Sequence, residues 1–340
     1  MSTSIISPAQ PEQILKGLGK LWTSLGQEEK QLGKPTVLRA CAMTLIVAAD
    51  ESGGGFSESQ TISDLMREHP SRGIVLMVSP EAEKPLEARV LAQCWKPFGK
   101  AQQICCEQIE ITARPDSWPN VGPTLIGLTV PDLPVVFWCR HKAALNPAAS
   151  ENEKAGLQAI LDLSTKVIID TKDIEASQAF QSISRLQGNA RIVADLSWTR
   201  LTRWRQPIAQ IFDNPARTNK FFNFREFEIA HTGETPGPGE FYAAGWLSSF
   251  ANSKVSFKAV RGFGPGLHSI TLRSPEETIT FERTGPECMM LWSTNGRKRA
   301  YSYSEPALYN LMHEELSVLG FDPVFDSALH RATELVSQHG

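Results

Sequence analysis

The chain lacks most of what a membrane protein, a nucleic-acid binder or a common hydrolase needs. Among its 340 residues no apolar run reaches the roughly 18 required to span a bilayer. Its first residues are polar, with Pro8 and Pro11, so no signal peptide is expected and the expected location is the cytoplasm. There is no surplus of positive charge. The formal net charge is −3, and basic residues cluster only at Arg200, Arg203 and Arg205 and at Arg297, Lys298 and Arg299, which argues against a nucleic-acid partner. The six cysteines, Cys41, Cys94, Cys105, Cys106, Cys139 and Cys288, contain no CxxC pair and mostly sit in apolar runs, so buried reduced thiols are expected, the alternative being a redox-sensing pair whose members the sequence does not identify.

Catalytic signatures are missing as well. GxxxxGK[ST], GxSxG and HExxH do not occur, and the Gly-Lys pairs at Gly19 and Gly99 lack the upstream glycine and the following hydroxyl of a phosphate loop. The seven histidines are dispersed and none pairs at i, i+4, so no metal site is expected. GFGPG, Gly262 to Gly266, looks like a phosphate cradle but precedes an alternating LHSITLRS, so a hairpin turn is the expected structure. No catalytic residue and no cofactor follow from these patterns.

What is present is globular composition, 41% hydrophobic and 21% charged, in a chain long enough for two cores. A docking helix is expected over EQILKGLGKLWTSL, then a polar stretch from Gln31 to Pro35. Apolar runs at Ala40–Ala49, Gly73–Ser79, Ile104–Thr112, Val135–Cys139 and Lys166–Asp170 read as buried strands. Between them lie a flexible turn at Gly53, Gly54 and Gly55, a helix stopped by Pro70, a helix or strand around Leu125, and a helix near Glu153 to Leu163. After the amphipathic helix of Ala176–Leu186 the pattern changes. FREFEIA reads as a strand, TGETPGPGE leads into a helix with Phe241, Trp246, Leu247 and Phe250, and VSFKAV, LHSITLRS, ETITFERT and CMMLWST read as an antiparallel meander. A terminal helix from Glu305 to Leu319 would cover it. The expected fold is an N-terminal open, mostly parallel Rossmann-like α/β sheet with helices, followed by a C-terminal α+β domain. The expected boundaries are 1–35 for the docking segment, 36–190 for the first domain and 191–340 for the second.

The segment DLSWTRLTRWR, Asp195 to Arg205, places two tryptophans and three arginines in eleven residues. At helical spacing Trp198, Leu201, Arg205, Ile208 and Phe212 share one stripe, so Arg205 sits among apolar side chains and needs an anion or a stacking partner. Asp195 is the expected N-cap, and Arg200 and Arg203 fall on the opposite, solvated side. Arg205 and Trp198 read either as a structural pair or as part of an interaction hot spot. Trp198, Arg200, Trp204 and Arg205 are therefore candidate partner-binding residues, with Arg200 and Trp204 the better placed. HPSR, between a helix and a strand, makes His69, Ser71 and Arg72 a candidate anion site, its alternative being a helix stop with an ion-paired arginine.

Taken in order, MTLIVAAD, HPSR, PDLPVVFWC, DLSWTRLTRWR and AGWLSS resemble the glucose-6-phosphate dehydrogenase assembly protein family, OpcA, over about Met43 to Ser249. The resemblance implies a non-enzymatic assembly factor and allosteric activator of glucose-6-phosphate dehydrogenase, acting on the oxidative pentose phosphate pathway. It also implies thioredoxin as a partner through cysteines, although the chain has no CxxC. A sugar-phosphate or nucleotide-binding enzyme or sensor, using an anion site near Arg72 and a crevice of the parallel sheet, is the alternative.

Overall fold

The computed structural model describes residues 4–6, 9–31, 37–50, 55–100, 102–141, 149–187, 191–213, 215–251 and 253–339. Pro8, residues 32–35 of the polar stretch, and Gly53 and Gly54 lie outside them. The chain divides into two compact units, Met1–Ile169 with Leu186–Ala194 and Met312–Leu319, and Asp170–Arg185 with Asp195–Leu311 and Gly320–Gly340.

In the first unit the elements run β1 (Ser4–Ile6), α1 (Pro11–Gln31), β2 (Leu38–Arg39), β3 (Met43–Asp50), α2 (Gly55–Leu65), β4 (Ser71–Val78), β5 (Leu86–Trp95), β6 (Ile104–Ala113), α3 (Trp118–Leu128), β7 (Val135–Cys139), α4 (Glu151–Leu163) and β8 (Lys166–Ile169). After α5 (Ala176–Leu186), which falls mostly in the second unit, β9 (Ile192–Asp195) completes the sheet. The order is β1-β5-β6-β4-β3-β7-β8-β9, with β2 beside β6. Leaving aside β1, β2 and β5, that is third, second, first, fourth, fifth, sixth, the doubly wound order. Pairs β6/β4, β4/β3, β3/β7 and β7/β8 are parallel. Strands buried on both faces need apolar side chains at successive positions, and Leu45 to Ala49 and Val136 to Trp138 supply them. The segment around Leu125 is helical.

Strand β5 has no counterpart among the sequence expectations. It pairs antiparallel with β6 and with β1, and Arg89 and Gln93 interrupt its apolar pattern because much of it is only half buried. Its register sets Cys94 opposite Cys105, and the two form a disulfide. This corrects the expectation of six reduced thiols; Cys41, Cys106, Cys139 and Cys288 are free.

The second unit contains α6 (Leu196–Arg200), α7 (Thr202–Phe212), α8 (Pro215–Phe221), β10 (Glu226–Thr232), α9 (Pro238–Phe250), β11 (Lys254–Ala259), β12 (Gly266–Arg273), β13 (Thr278–Gly285), β14 (Cys288–Ser293), β15 (Lys298–Ser302), the first residues of α10 (Leu308–Ser317) and α11 (Pro323–His339). Its sheet runs β11-β10-β12-β13-β14-β15. The meander is β12 to β15, while VSFKAV, as β11, pairs parallel with β10. GFGPG is consequently no hairpin turn: it carries the chain from β11 past β10 to β12, and Gly264 and Gly266 take positive φ there. Helix α11 lies beyond the single terminal helix expected.

AGWLSS finds its reason in packing. A Cβ on Gly245 would stand 2.4 Å from the Ala328 carbonyl oxygen and 2.8 Å from the Ala332 nitrogen, so α9 and α11 approach at backbone contact. Gly239, the second residue of α9, has open space. Gly245→Ala is expected to lower stability by about 1–3 kcal/mol despite alanine's better helix propensity, because the backbone of α11 must move. Gly239→Ala should be neutral or stabilising. Urea denaturation of both variants checks this, and a Gly245→Ala midpoint at or above that of the parent would contradict the contact.

Candidate functional site

Helix α6 begins at Asp195, the last residue of β9, whose side chain accepts from the Ser197 N–H at 2.9 Å. The same fully buried carboxylate accepts from the Thr171 N–H at 3.2 Å, from the Thr171 hydroxyl and from the Tyr242 hydroxyl at 2.9 Å. Burial nevertheless pushes its carboxyl up to about 6, against the lowering effect of the Thr171, Ser197 and Tyr242 bonds. Burial, followed by the Asp195 charge, raises the Tyr242 hydroxyl well above its ordinary value, which keeps it a donor.

The expected single helix breaks at Leu201, whose N–H bonds back to the Trp198 carbonyl at i−3 and so tightens the chain between α6 and α7. Trp198 is buried, its ring packed against Tyr242 and Phe325 and its indole N–H 3.4 Å from an Asp322 carboxylate oxygen. The Arg205 guanidinium lies 3.8 Å over that ring and donates to the Thr202 hydroxyl at 3.0 Å. Trp204 is 2% exposed and meets Tyr303 edge to face. Neither indole therefore lies on the surface of its unit, which corrects the expectation that Trp198 and Trp204 face a partner; their apolar area is used in the core. Arg203 is exposed. Arg200, expected on the solvated side, is largely covered and forks onto Asp170 with bonds of 2.7 and 2.6 Å.

Arg200 and Trp204 line a cleft of about 100 Å³ together with Lys172, Arg283, Tyr303 and Glu305. Lys172 pairs with Glu305, and the Arg283 guanidinium stacks 4.7 Å over Tyr303 while its Nε is buried without a hydrogen-bond acceptor. At its edge the N-terminus of α9 is closed by Glu240, which accepts from the Gly237 N–H at 2.9 Å. Cationic donors set among aromatic faces suit recognition of an anionic or carbonyl-bearing surface. Among the described residues no group of three His, Cys, Asp or Glu side chains could hold a metal ion.

The second candidate patch lies in the first unit. Ser71 and Arg72 are buried at the start of β4. Arg72 donates to Glu107 at 2.7 Å and to the Leu128 carbonyl at 2.8 Å, and Glu107 also receives the Trp22 indole N–H and Arg39. The anion for Arg72 is thus Glu107, and the expected anion-binding site is a filled ion-pair network. His69 is half buried, with Nε2 2.9 Å from His313 Nδ1, which also lies 3.0 Å from Glu68. Burial and then His313 lower the His69 pKa.

Lys172, Asp170, Tyr242 and Arg283 escaped the sequence reading. Only Asp195, through its cap position, carried a local signal. Because the folded Asp195 value lies above the ordinary 3.8, the folded protein keeps a proton that the unfolded chain releases. Its contribution is complete below about pH 4 and is lost as pH rises through about 6, amounting to about 3 kcal/mol. Parent stability is therefore expected to fall relative to Asp195→Asn between pH 4 and 7. Urea titrations of both proteins at the two pH values test this, and parallel pH profiles would refute it.

Comparison with known proteins places both units in one context. Residues 62–187 match the family model described as the glucose-6-phosphate dehydrogenase subunit N-terminal domain, and residues 191–329 match that of the C-terminal domain. The putative OxPP cycle protein OpcA of Synechocystis sp. is 26% identical over 226 residues, which cover 65% of this chain and 44% of that protein. The protein of the same name from Synechococcus elongatus is 24% identical over 275 residues, 73% of this chain and 59% of its own length. The chain thus spans about half the length of these curated relatives. Among solved structures, an oxidoreductase from Sinorhizobium meliloti aligns over 88% of this chain and 96% of its own with a TM-score of 0.48 and 9% identity.

Proposed function

Because the chain belongs to the OpcA family of glucose-6-phosphate dehydrogenase assembly proteins, we propose that it is a non-enzymatic assembly factor and allosteric activator of glucose-6-phosphate dehydrogenase in the oxidative pentose phosphate pathway. The observation that carries this reading is the pair of family domains, matched in order and separated by three residues. An activator of this kind needs only a higher affinity for the competent state of the enzyme than for the other states. The Arg200 cleft supports the reading as the contact region, since it offers Arg200, Lys172 and the unused Arg283 Nε beside Tyr303. For thioredoxin, the second partner the resemblance implies, the reading assigns the contact to the Cys94–Cys105 bridge, the disulfide among the described residues.

The alternative, an enzyme or sensor for sugar phosphates or nucleotides built on Arg72, is disfavoured because Glu107 already occupies that guanidinium.

Mixing the purified protein with its cognate dehydrogenase is expected to give a heavier sedimenting species and changed kinetics. Arg200→Ala should weaken that association by about tenfold, the equivalent of one charged contact. Arg205→Ala, which uncovers the Trp198 ring, should mainly lower the melting temperature. Absence of both a complex and a kinetic effect with the parent protein would reject the function.

A further inference from the structure

The run Arg297, Lys298, Arg299 has no part in the cleft described above. It lies at the hairpin from β14 to β15, where Gly296 takes φ +78, and it forms one wall of a separate concavity of about 560 Å³ in the second unit. A volume of that size is typical of small-molecule sites. Helices α7 and α8 supply the other wall, and Ile279 and Leu291 form an apolar floor.

Charge in this pocket is unbalanced. Its one lining carboxylate, Glu277, is buried and already engaged: Arg217 donates to both its oxygens at 3.1 and 3.0 Å, and the Ser293 hydroxyl donates to one of them. That pair neutralises itself. Arg297, Lys298 and Arg299 are exposed, and among the described residues none has a carboxylate within ion-pair distance. The register divides them: Arg299 pairs with Leu291 and stacks 5.1 Å over Tyr301 on the pocket face, with Arg297 two residues before it, whereas Lys298 pairs with Trp292 and sits 4.5 Å over that ring on the opposite face. Charges on an edge strand also discourage sheet-to-sheet pairing. That purpose requires neither a concavity nor two arginines on its wall beside a neutralised ion pair.

We propose that this pocket binds a small organic phosphate, its phosphate held by Arg297 and Arg299 and its organic body lying over Ile279 and Leu291. A phosphate monoester carries close to two negative charges near neutral pH and accepts the forked donors of arginine, which matches two arginines without a carboxylate partner better than a single carboxylate does. The inference is independent of the partner enzyme, and its test uses this chain alone.

Isothermal titration of the full chain with glucose 6-phosphate, with ADP and with inorganic phosphate is the experiment. At least one organic phosphate is expected to bind with a Kd below about 1 mM and more tightly than inorganic phosphate, and to bind about tenfold more weakly to Arg297→Ala and to Arg299→Ala. Both side chains are exposed, so the variants should keep the parent melting temperature. Preference for one organic phosphate identifies the body the floor accepts. No saturable binding, equal affinity for inorganic and organic phosphate, or affinity unchanged in both variants would each overturn the proposal. So would variants that bind these ligands normally but lose the dehydrogenase, since the basic wall would then be a protein contact.

Discussion

The second unit is organised around a single buried carboxylate. Asp195 is withdrawn from water, and four donors from three segments of the chain converge on it: the Ser197 N–H, the Thr171 N–H and hydroxyl, and the Tyr242 hydroxyl. A buried charge is tolerated only when its lone pairs are met, so these segments cannot move independently. The consequences radiate outward. Tyr242 held at Asp195 gives Trp198 a ring to pack on, Trp198 gives Arg205 a face to stack on, and the start of α6 directs Arg200 to Asp170 at the edge of the cleft.

A similar device operates in the first unit. Glu107, on β6, gathers Arg72 from β4, Arg39 from β2 and the Trp22 indole from α1. The segments that carry the family likeness are thus largely architectural. HPSR supplies the arginine for Glu107, AGWLSS the glycine that lets α9 and α11 touch, and DLSWTRLTRWR the core of the second unit. Family signatures here record close packing and buried ion pairs, where few side chains fit.

The two concavities of the second unit differ in how their cations are satisfied. In the Arg200 cleft, Lys172 and Arg200 already hold Glu305 and Asp170, which leaves a preorganised, nearly balanced surface suited to a partner with complementary polar groups. In the Arg297 pocket the only internal anion is consumed by Arg217, and the net field stays positive. Recognition of a protein and recognition of a compact anion place different demands on charge, and the two proposed sites differ in that respect.

Much of the sheet was legible in the sequence because parallel strands buried on both faces demand unbroken apolar runs, as in MTLIVAAD and VVFWC. The N-cap at Asp195 was legible for a similar reason, since the first turn of a helix needs an acceptor nearby in sequence. Strand β5 was hidden because a half-buried antiparallel strand tolerates charges, and with it went the Cys94–Cys105 bridge, which depends on register. The fate of the arginines lay further out of reach. Helical spacing told that Arg205 needed a partner, yet the partner of Arg72 is 35 residues away and that of Arg200 is 30. By itself the sequence determined that the unbroken apolar runs had to leave water and that Arg205 needed a partner. Only the tertiary structure decided which partner each arginine met, because that depends on how distant segments are brought together and not on the local pattern of either.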